Sequence, residues 1–147
     1  MIAGSLETRL QRLEDEREIL DTLYRYGHSI DYGQRDDWID CWTEDAVLRW
    51  PHATFTGHEE IGRAFDTHSH APEAYHKHFL VEPRIRLDGE TATTDSYFTR
   101  INDSPRGPVV RSFGRYRDVL VRCHDGRWRI KERLLERESL IPDAPVT

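Results

Sequence analysis

The sequence predicts an α+β fold in which three helices are followed by a strongly curved, mostly antiparallel sheet. Apolar residues recur three or four positions apart in the first part of the chain, as in helices with one buried face. From Tyr75 onward the period changes to two, which is the alternation of strands. Asp88-Gly89 and His124–Arg127 separate long β-rich runs and are typical hairpin turns. Helices first and hairpin-connected strands afterwards indicate the α+β class.

Length and charge limit what the protein can be. Its 147 residues predict a single domain (1–147) with one core (about 6–137) and a short tail (138–147). The net charge of −6 excludes a global basic footprint for nucleic acid. Apolar runs are far shorter than the ~20 residues of a membrane span, so we expect no membrane partner. Without a signal pattern, and with Cys41 and Cys123 expected to stay free thiols, the expected location is cytoplasmic.

Three helices are expected before residue 70. The first spans residues 6–32 and ends before Gly33, a residue suited to a helix C-terminal cap. A second helix is predicted over Asp36–Trp42, followed by a turn at Thr43–Asp45, and a third over Glu59–Thr67. The first helix has one broad buried face, formed by Ile19, Leu20, Leu23, Tyr24, Tyr26 and Ile30.

Six strands are expected, and the third should bend near Pro83. Such a sheet, curved over a long helix, leaves a pocket between the two layers, where small-molecule sites commonly lie. The predicted strands are Ala46–Trp50, Ala53–Thr56, Tyr75–Leu87, Thr91–Ile101, Val109–Cys123 and Trp128–Arg137.

Asp31 is the first candidate for chemistry. It falls in the last turn of the first helix, where the helix dipole disfavours an acid by about 0.3–1 kcal/mol. A histidine partner would relieve this cost, and strand alternation puts His76 and His78 on one face. A neutral His78 held by Asp31 would be a good proton acceptor. Tyr26 can donate a hydrogen bond to a substrate oxygen.

Simpler interpretations stay open for each of these residues. Asp31 fits a surface acid, His78 a packed or solvated strand residue, and Tyr26 a core tyrosine. Nothing in the local pattern requires Asp31 and His78 to meet.

Other polar groups favour simpler roles. His68 and His70 are expected to be flexible loop residues, and we expect no metal site, although both could join Asp31, His76 and His78 as ligands. Ser112 lacks the context of a nucleophilic serine. The alternating Arg111, Arg115 and Arg117 are expected to form a solvated or subunit-facing strip, with an anion-binding edge of the pocket as the alternative.

Four segments in order carry a family resemblance. They are YRYGHSIDYGQRDDWIDCWTEDAVL, FTGHEEIGRAF, HFLVEPRIRLDGETATTDSYF and GRYRDVLVRCHDGRWRIKER. Together they resemble SnoaL-like proteins of the nuclear transport factor 2-like superfamily, from about residue 10 to residue 137. In the branch with scytalone dehydratase and bile acid dehydratases, the resemblance implies that Tyr26, Asp31 and His78 are catalytic. Glu82 departs from the asparagine frequent there.

The resemblance implies a cone-shaped α+β barrel and a homodimer or homotrimer built sheet to sheet. We predict a cofactor-free lyase, most simply a dehydratase, acting on a hydrophobic hydroxylated cyclic or aromatic small molecule. A formaldehyde-releasing C–C lyase, an isomerase like ketosteroid isomerase, and a non-catalytic assembly domain, such as a dioxygenase small subunit, are the alternatives. His76 is expected to assist the leaving group. The expected substrate-binding residues are Tyr24, His76, Trp50, Phe65, Glu82, Phe98 and Ser112.

Overall fold

A computed structural model describes residues 4–142 of the chain. Three helices pack on one open, mostly antiparallel sheet with strand order β2-β1-β6-β5-β4-β3, which confirms the predicted class. Only β1 and β6 run parallel among the paired strands. The elements are α1 (Leu6–Asp31), α2 (Arg35–Asp40), β1 (Trp42–Trp50), β2 (Ala53–Thr56), α3 (Gly57–Thr67), β3 (His76–Asp88), β4 (Thr91–Asn102), β5 (Val109–Arg122) and β6 (Trp128–Leu140).

Helix α1 has defined signals at both ends. The side chain of Ser5 accepts a hydrogen bond from the backbone N–H of Thr8 and so caps the N-terminus. After Asp31 the chain turns through Gly33, whose φ of +70° favours glycine. The predicted extent of this helix and its terminating glycine are therefore confirmed.

Two predicted boundaries are wrong. Helix α2 ends at Asp40, and residues 43–45, expected to form a turn, lie inside β1. Trp42 is buried and pairs with Ile130 of β6, so strand pairing overrides the local helical pattern. Strand β6 continues past the predicted end at Arg137 because Leu140 pairs with Ser112 of β5.

Breaks in strand register accompany the curvature of the sheet. As predicted, β3 bends near Pro83: the pairing with β4 shifts between Val81 and Arg84, and Glu82 has a φ of +51°. In β5, Arg111 is an extra residue between Val110 and Ser112, whose partners on β4 are consecutive. Bulges of this kind bend the strand and redirect side chains.

An aromatic core fills the space between α1 and the concave face of the sheet. Tyr26 contacts the rings of Trp38, Trp42 and Tyr116, with centroids 5.6–5.9 Å apart. Within this core Arg133 is fully buried, and its Nε and Nη2 donate to Asp118 at 2.8 and 2.9 Å. The core thus contains a buried ion pair, and Arg133 Nη1 is left without a hydrogen-bond partner among the described residues.

Both cysteines are free thiols, as expected. None of the helices within residues 4–142 is long and apolar enough to cross a membrane.

Candidate active site

Two histidines meet one aspartate at the end of α1. The Nδ1 atoms of His76 and His78 lie 2.8 and 2.6 Å from Asp31 Oδ1. The backbone N–H of His78 donates to Asp31 Oδ2 at 3.0 Å. All three residues have little exposed side chain. The expected Asp31–His78 contact is present, and the adverse position of the acid is compensated by three donors.

Close packing of α1 against β3 makes these contacts possible. His76 and His78 project from the same face of β3, as strand alternation requires. Gly27, one turn before Asp31, lies so close to β3 that a Cβ atom there would be 3.3 Å from the carbonyl oxygen of His78. A glycine at this position therefore sets the distance between helix and strand, a role that sequence reasoning missed.

Asp31 is held as a carboxylate. Burial alone would raise the pKa of Asp31, but the hydrogen bonds from His76 and His78 outweigh it and hold the pKa well below its usual range. The charge is thus present at neutral pH.

His78 is held as a neutral base with a fixed tautomer. Burial lowers the pKa of His78, and the Asp31 carboxylate, which raises it, does not fully offset this effect. Because Asp31 is ionised, His78 Nδ1 carries the proton that it donates, and Nε2 keeps the lone pair. His78 lines the cavity described below and Asp31 does not. Nε2 is the ring nitrogen of His78 that does not contact Asp31.

His76 has a different role from the one expected. Its Nδ1 faces Asp31 and its Nε2 lies 2.6 Å from the carbonyl oxygen of Ser69. Both ring nitrogens of His76 therefore face oxygen acceptors, the Asp31 carboxylate and the Ser69 carbonyl. The ring does not line the cavity, so it is placed to orient Asp31 and His78 and not to protonate a leaving group.

His68 and His70 are ordered, and the expectation of flexible loop histidines is wrong. His70 spans the backbone carbonyls of Ile30 and Phe65, at 2.5 and 3.1 Å. His68 is buried beside His78, with ring centroids 5.5 Å apart. Burial, reinforced by the positive charge of Arg100, lowers the pKa of His68 to about 2, so this ring is neutral.

A small cavity of about 30 Å³ adjoins His78, enough space for a few water-sized atoms. Its wall includes the predicted residues Tyr26, Trp50, Phe98 and Ser112. A neighbouring cleft between α1 and β3, about 160 Å³, shares Tyr26, His78 and Tyr116 with the cavity.

Three of the predicted substrate-binding residues besides His76 lie elsewhere. Tyr24 borders the neighbouring cleft. Phe65 is buried in the core and stacks on His70 at a centroid distance of 4.3 Å. Glu82 is exposed, because the bend of β3 turns it away from the interior. None of the three belongs to the cavity wall.

Two buried tyrosines offer hydroxyl groups at the cavity. Burial raises the pKa of Tyr26 and of Tyr116, so both hydroxyls stay protonated and can donate. The Tyr116 hydroxyl is buried and has no hydrogen-bond partner within residues 4–142. Tyr26 was predicted at the site, but Tyr116 was not, since one tyrosine on a long strand carries no local signal of function.

Arginines form a further part of the wall, and the expected solvated strip is only partly correct. Arg115 and Arg117 are exposed and pair with Glu136. Arg111 instead points inward and lines the cavity with Arg100 and Arg137. The bulge at Arg111 breaks the alternation with Arg115, and no local pattern in the sequence marks such a bulge.

Asp31, His76 and His78 are the residues that could hold a metal ion. One ligand atom from each lies within 4.8 Å of the others. The Nε2 contact of His76 to a carbonyl would also suit a metal-bound imidazole. In the geometry described here, however, both Nδ1 atoms are directed at one carboxylate oxygen, which is the arrangement of hydrogen-bond donors.

Comparisons with known proteins agree with this architecture. An NTF2-like protein with a cystatin-like fold from Novosphingobium aromaticivorans is 26% identical, with a TM-score of 0.81 over 95% of this chain and 90% of that chain. A protein from Catenulispora acidiphila in complex with S-DNPA is 26% identical, with a TM-score of 0.72 over 84% and 92%. A candidate scytalone dehydratase from N. aromaticivorans shares the fold at 20% identity, with a TM-score of 0.78 over 92% and 91%.

Among curated proteins, none matches this sequence. The model of the SnoaL-like domain matches residues 11–134, which is well over half of the chain. The protein therefore belongs to the SnoaL-like domain family and has the nuclear transport factor 2-like fold.

Proposed function

We propose that this SnoaL-like protein is a cofactor-free lyase that removes water from a hydroxylated cyclic or aromatic small molecule. The observation that carries the proposal is His78, a neutral imidazole whose Nδ1–H is bound by Asp31 and which lines a small cavity. A base of this kind is suited to proton abstraction near neutral pH.

In the proposed first step, His78 Nε2 takes a proton from a carbon next to an electron-withdrawing carbonyl. The Asp31 carboxylate holds the tautomer and stabilises the imidazolium that forms. Negative charge develops on the carbonyl oxygen, where the hydroxyl of Tyr26 can donate a hydrogen bond. Because Tyr26 is buried and the cavity wall is partly apolar, this hydrogen bond is stronger than it would be in water.

In the second step the carbon–oxygen bond of the neighbouring hydroxyl group breaks as the carbon–carbon double bond forms. The imidazolium of His78 returns its proton to the departing hydroxyl, which leaves as water. One residue thus serves as base and then as acid, and no redox partner is needed.

The substrate is larger than the cavity alone. The cavity and the neighbouring cleft share His78 and the two tyrosines Tyr26 and Tyr116. We place the reacting carbon at His78 and the rest of the ring system in the cleft, which requires one of the two tyrosine side chains to move.

Two related reactions use the same groups. A C–C cleavage that releases formaldehyde and a double-bond shift both pass through an anion next to a stabilising group. The rival from another class is a non-catalytic assembly domain. The open space beside His78 favours the enzyme, because an assembly domain has no need for a cavity at that position.

We also propose a cytoplasmic homodimer or homotrimer built sheet to sheet. Large apolar side chains are exposed along β3, β4 and β5, and a second copy would cover them: Phe79, Val81, Tyr97, Val110 and Phe113. The two free thiols suit a reducing compartment. Sedimentation velocity gives the number of subunits, and a monomer at micromolar concentration would contradict the assembly.

A substrate screen followed by two variants tests the proposal. Hydroxylated aromatic and steroid-like compounds are incubated with the purified protein, and mass spectrometry distinguishes loss of water from loss of formaldehyde. For the substrate found, we expect His78→Ala to lower kcat/KM by about 10²–10⁴-fold, the usual contribution of a general base.

The matched control is His124→Ala, because His124 is exposed in a hairpin and far from Asp31 in the fold. Its kcat/KM should equal that of the native protein. Turnover that survives His78→Ala would remove the proposed base. A stoichiometric metal ion in the purified protein would replace the proton-transfer scheme with metal chemistry at the same three residues.

A further inference from the structure

Arg111 is a buried cation with no acidic partner among residues 4–142. Its side chain is 4% exposed, and its Nη2 is buried without a hydrogen-bond partner among the described residues. A guanidinium stays charged in proteins, and a buried charge is costly unless it is paired. The bulge in β5 nevertheless places this side chain at the cavity beside His78.

The rest of the cavity wall adds positive charge and no negative charge. Arg100 and Arg137 line the cavity together with Arg111, and the described lining includes no acidic residue. Two hydrogen bonds of Arg100, to Asn102 at 3.1 Å and to His68 at 3.4 Å, go to neutral partners. Asp31 lies behind His78 and is already bound by three donors.

The positive charges of the arginines also lower one another's pKa values. Burial, reinforced by the charge of Arg111, lowers the pKa of Arg100 to about 10. Burial and the charge of Arg137 lower the pKa of Arg111. An anion placed between these groups would relieve both the desolvation and the repulsion. Ser112, also at the wall, offers a hydroxyl donor to such a ligand.

We infer that the substrate carries a carboxylate and that Arg111 binds it, with Arg100 nearby. This inference rests on the proposed function, because it names the class of substrate that the same site accepts. A guanidinium binds a carboxylate through two parallel N–H···O bonds, and the oxygens of one carboxylate fit a cavity of about 30 Å³. The carboxylate would fix which substrate carbon lies at His78 Nε2.

The test uses acetate as the probe and acetamide as its neutral analogue of equal shape, at constant ionic strength. Binding is followed by the NMR signal of the Arg100 Nε–H group, which lines the same cavity and is present in the native protein and in every variant. We expect acetate, and not acetamide, to shift this signal. In Arg111→Met the affinity for acetate should fall about 10- to 100-fold, as expected for a lost charge-assisted pair.

The control is Arg115→Met, which removes an exposed arginine of the same strand. Its affinity for acetate should be unchanged. Thermal unfolding adds a second measurement. Loss of an arginine with a purely structural role would lower the Tm. Since Arg111→Met removes an unpaired buried charge, we expect its Tm without ligand to equal or exceed that of the native protein.

Equal responses to acetate and acetamide, or unchanged acetate binding in Arg111→Met, would overturn the inference. So would a Tm of Arg111→Met well below that of Arg115→Met. Should the Arg111 variant fail to fold, the NMR titration of the native protein still decides between the two probes. If the protein turns over a neutral substrate and this turnover depends on His78, the proposed function stands and the carboxylate inference falls. If acetate binding depends on Arg111 but turnover does not depend on His78, the carboxylate inference stands and the proposed function falls.

Discussion

At the scale of single residues, the site is a set of side chains whose protons are assigned by their partners. Asp31 contacts Nδ1 of both histidine rings, so the two rings differ in the surroundings of their second nitrogen, Nε2. The second nitrogen of His76 contacts the carbonyl oxygen of Ser69, whereas the residue that lines the cavity is His78. Burial opposes a further proton on His78, and this keeps His78 available as a base.

The neutral ring of His68 predicts a loss of stability in acid. Its pKa is about 2 in the folded protein and about 6.5 when unfolded. Between these values the unfolded chain binds more protons, so the free energy of unfolding decreases as the pH falls below about 6.5. From pH 7.5 to pH 5, His68 alone should remove about 2 kcal/mol, at 1.36 kcal/mol per pH unit.

Urea unfolding of the native protein and of His68→Gln at both pH values measures this effect. The variant should lose about 2 kcal/mol less than the native protein over the interval, with the remaining loss coming from neighbours such as His78. His28→Gln changes an exposed histidine of α1 and serves as the control. Equal losses in native protein and His68→Gln would mean that His68 is protonated in the fold.

At the scale of elements, two backbone features place the chemistry. Gly27 brings β3 against α1, and the bulge at Arg111 turns a cation into the cavity. Gly27 acts because it has no side chain, and the bulge acts because it sets the direction of the Arg111 side chain. A third feature, Gly114, leaves no room for a Cβ atom against the carbonyl of Glu136, where β5 and β6 change register.

Gly27→Ala should separate activity from stability. Alanine favours the helix by about 1 kcal/mol, but its Cβ would press on the carbonyl of His78 and move β3 by a few tenths of an ångström. We expect a Tm close to that of the native protein and a kcat/KM lower by about 10-fold, because displaced catalytic groups lose efficiency.

The control for Gly27→Ala is Asp21→Ala, an exposed position of the same helix that should leave kcat/KM unchanged. An unaltered kcat/KM in Gly27→Ala, measured on the substrate from the screen, would show that the spacing of helix and strand does not matter for the reaction.

At the scale of the whole molecule, the sequence predicts the fold well because local and long-range signals agree. The two hairpins, the bend at Pro83 and most of the α1 face are as expected, but Tyr24, predicted to be buried on that face, is exposed. The errors lie where pairing with a distant strand decides the structure. Trp42 has a helical environment in sequence, but it belongs to a strand because β6 lies beside it.

The contrast between local patterns and contacts of distant segments also explains which site residues could be predicted from the sequence. Asp31 and His78 could be connected through the family resemblance, together with the adverse helix position of the acid. The roles of His68, Gly27, Tyr116 and Arg111 depend on which strands and loops come together, and single-sequence patterns carry no information about that. The pairing of His76 was missed because the family pattern assigns one histidine to the acid and the structure assigns two.

The central claim is that Asp31 holds His78 as a neutral base with its lone pair on Nε2. Long-range ¹H–¹⁵N NMR of the histidine side chains at neutral pH measures this directly, without a substrate, and His78→Gln identifies the signal. We predict a His78 ring protonated on Nδ1 alone, and a tautomer that is no longer fixed in Asp31→Asn. An imidazolium at pH 7, or a proton on Nε2 in place of Nδ1, would contradict the account.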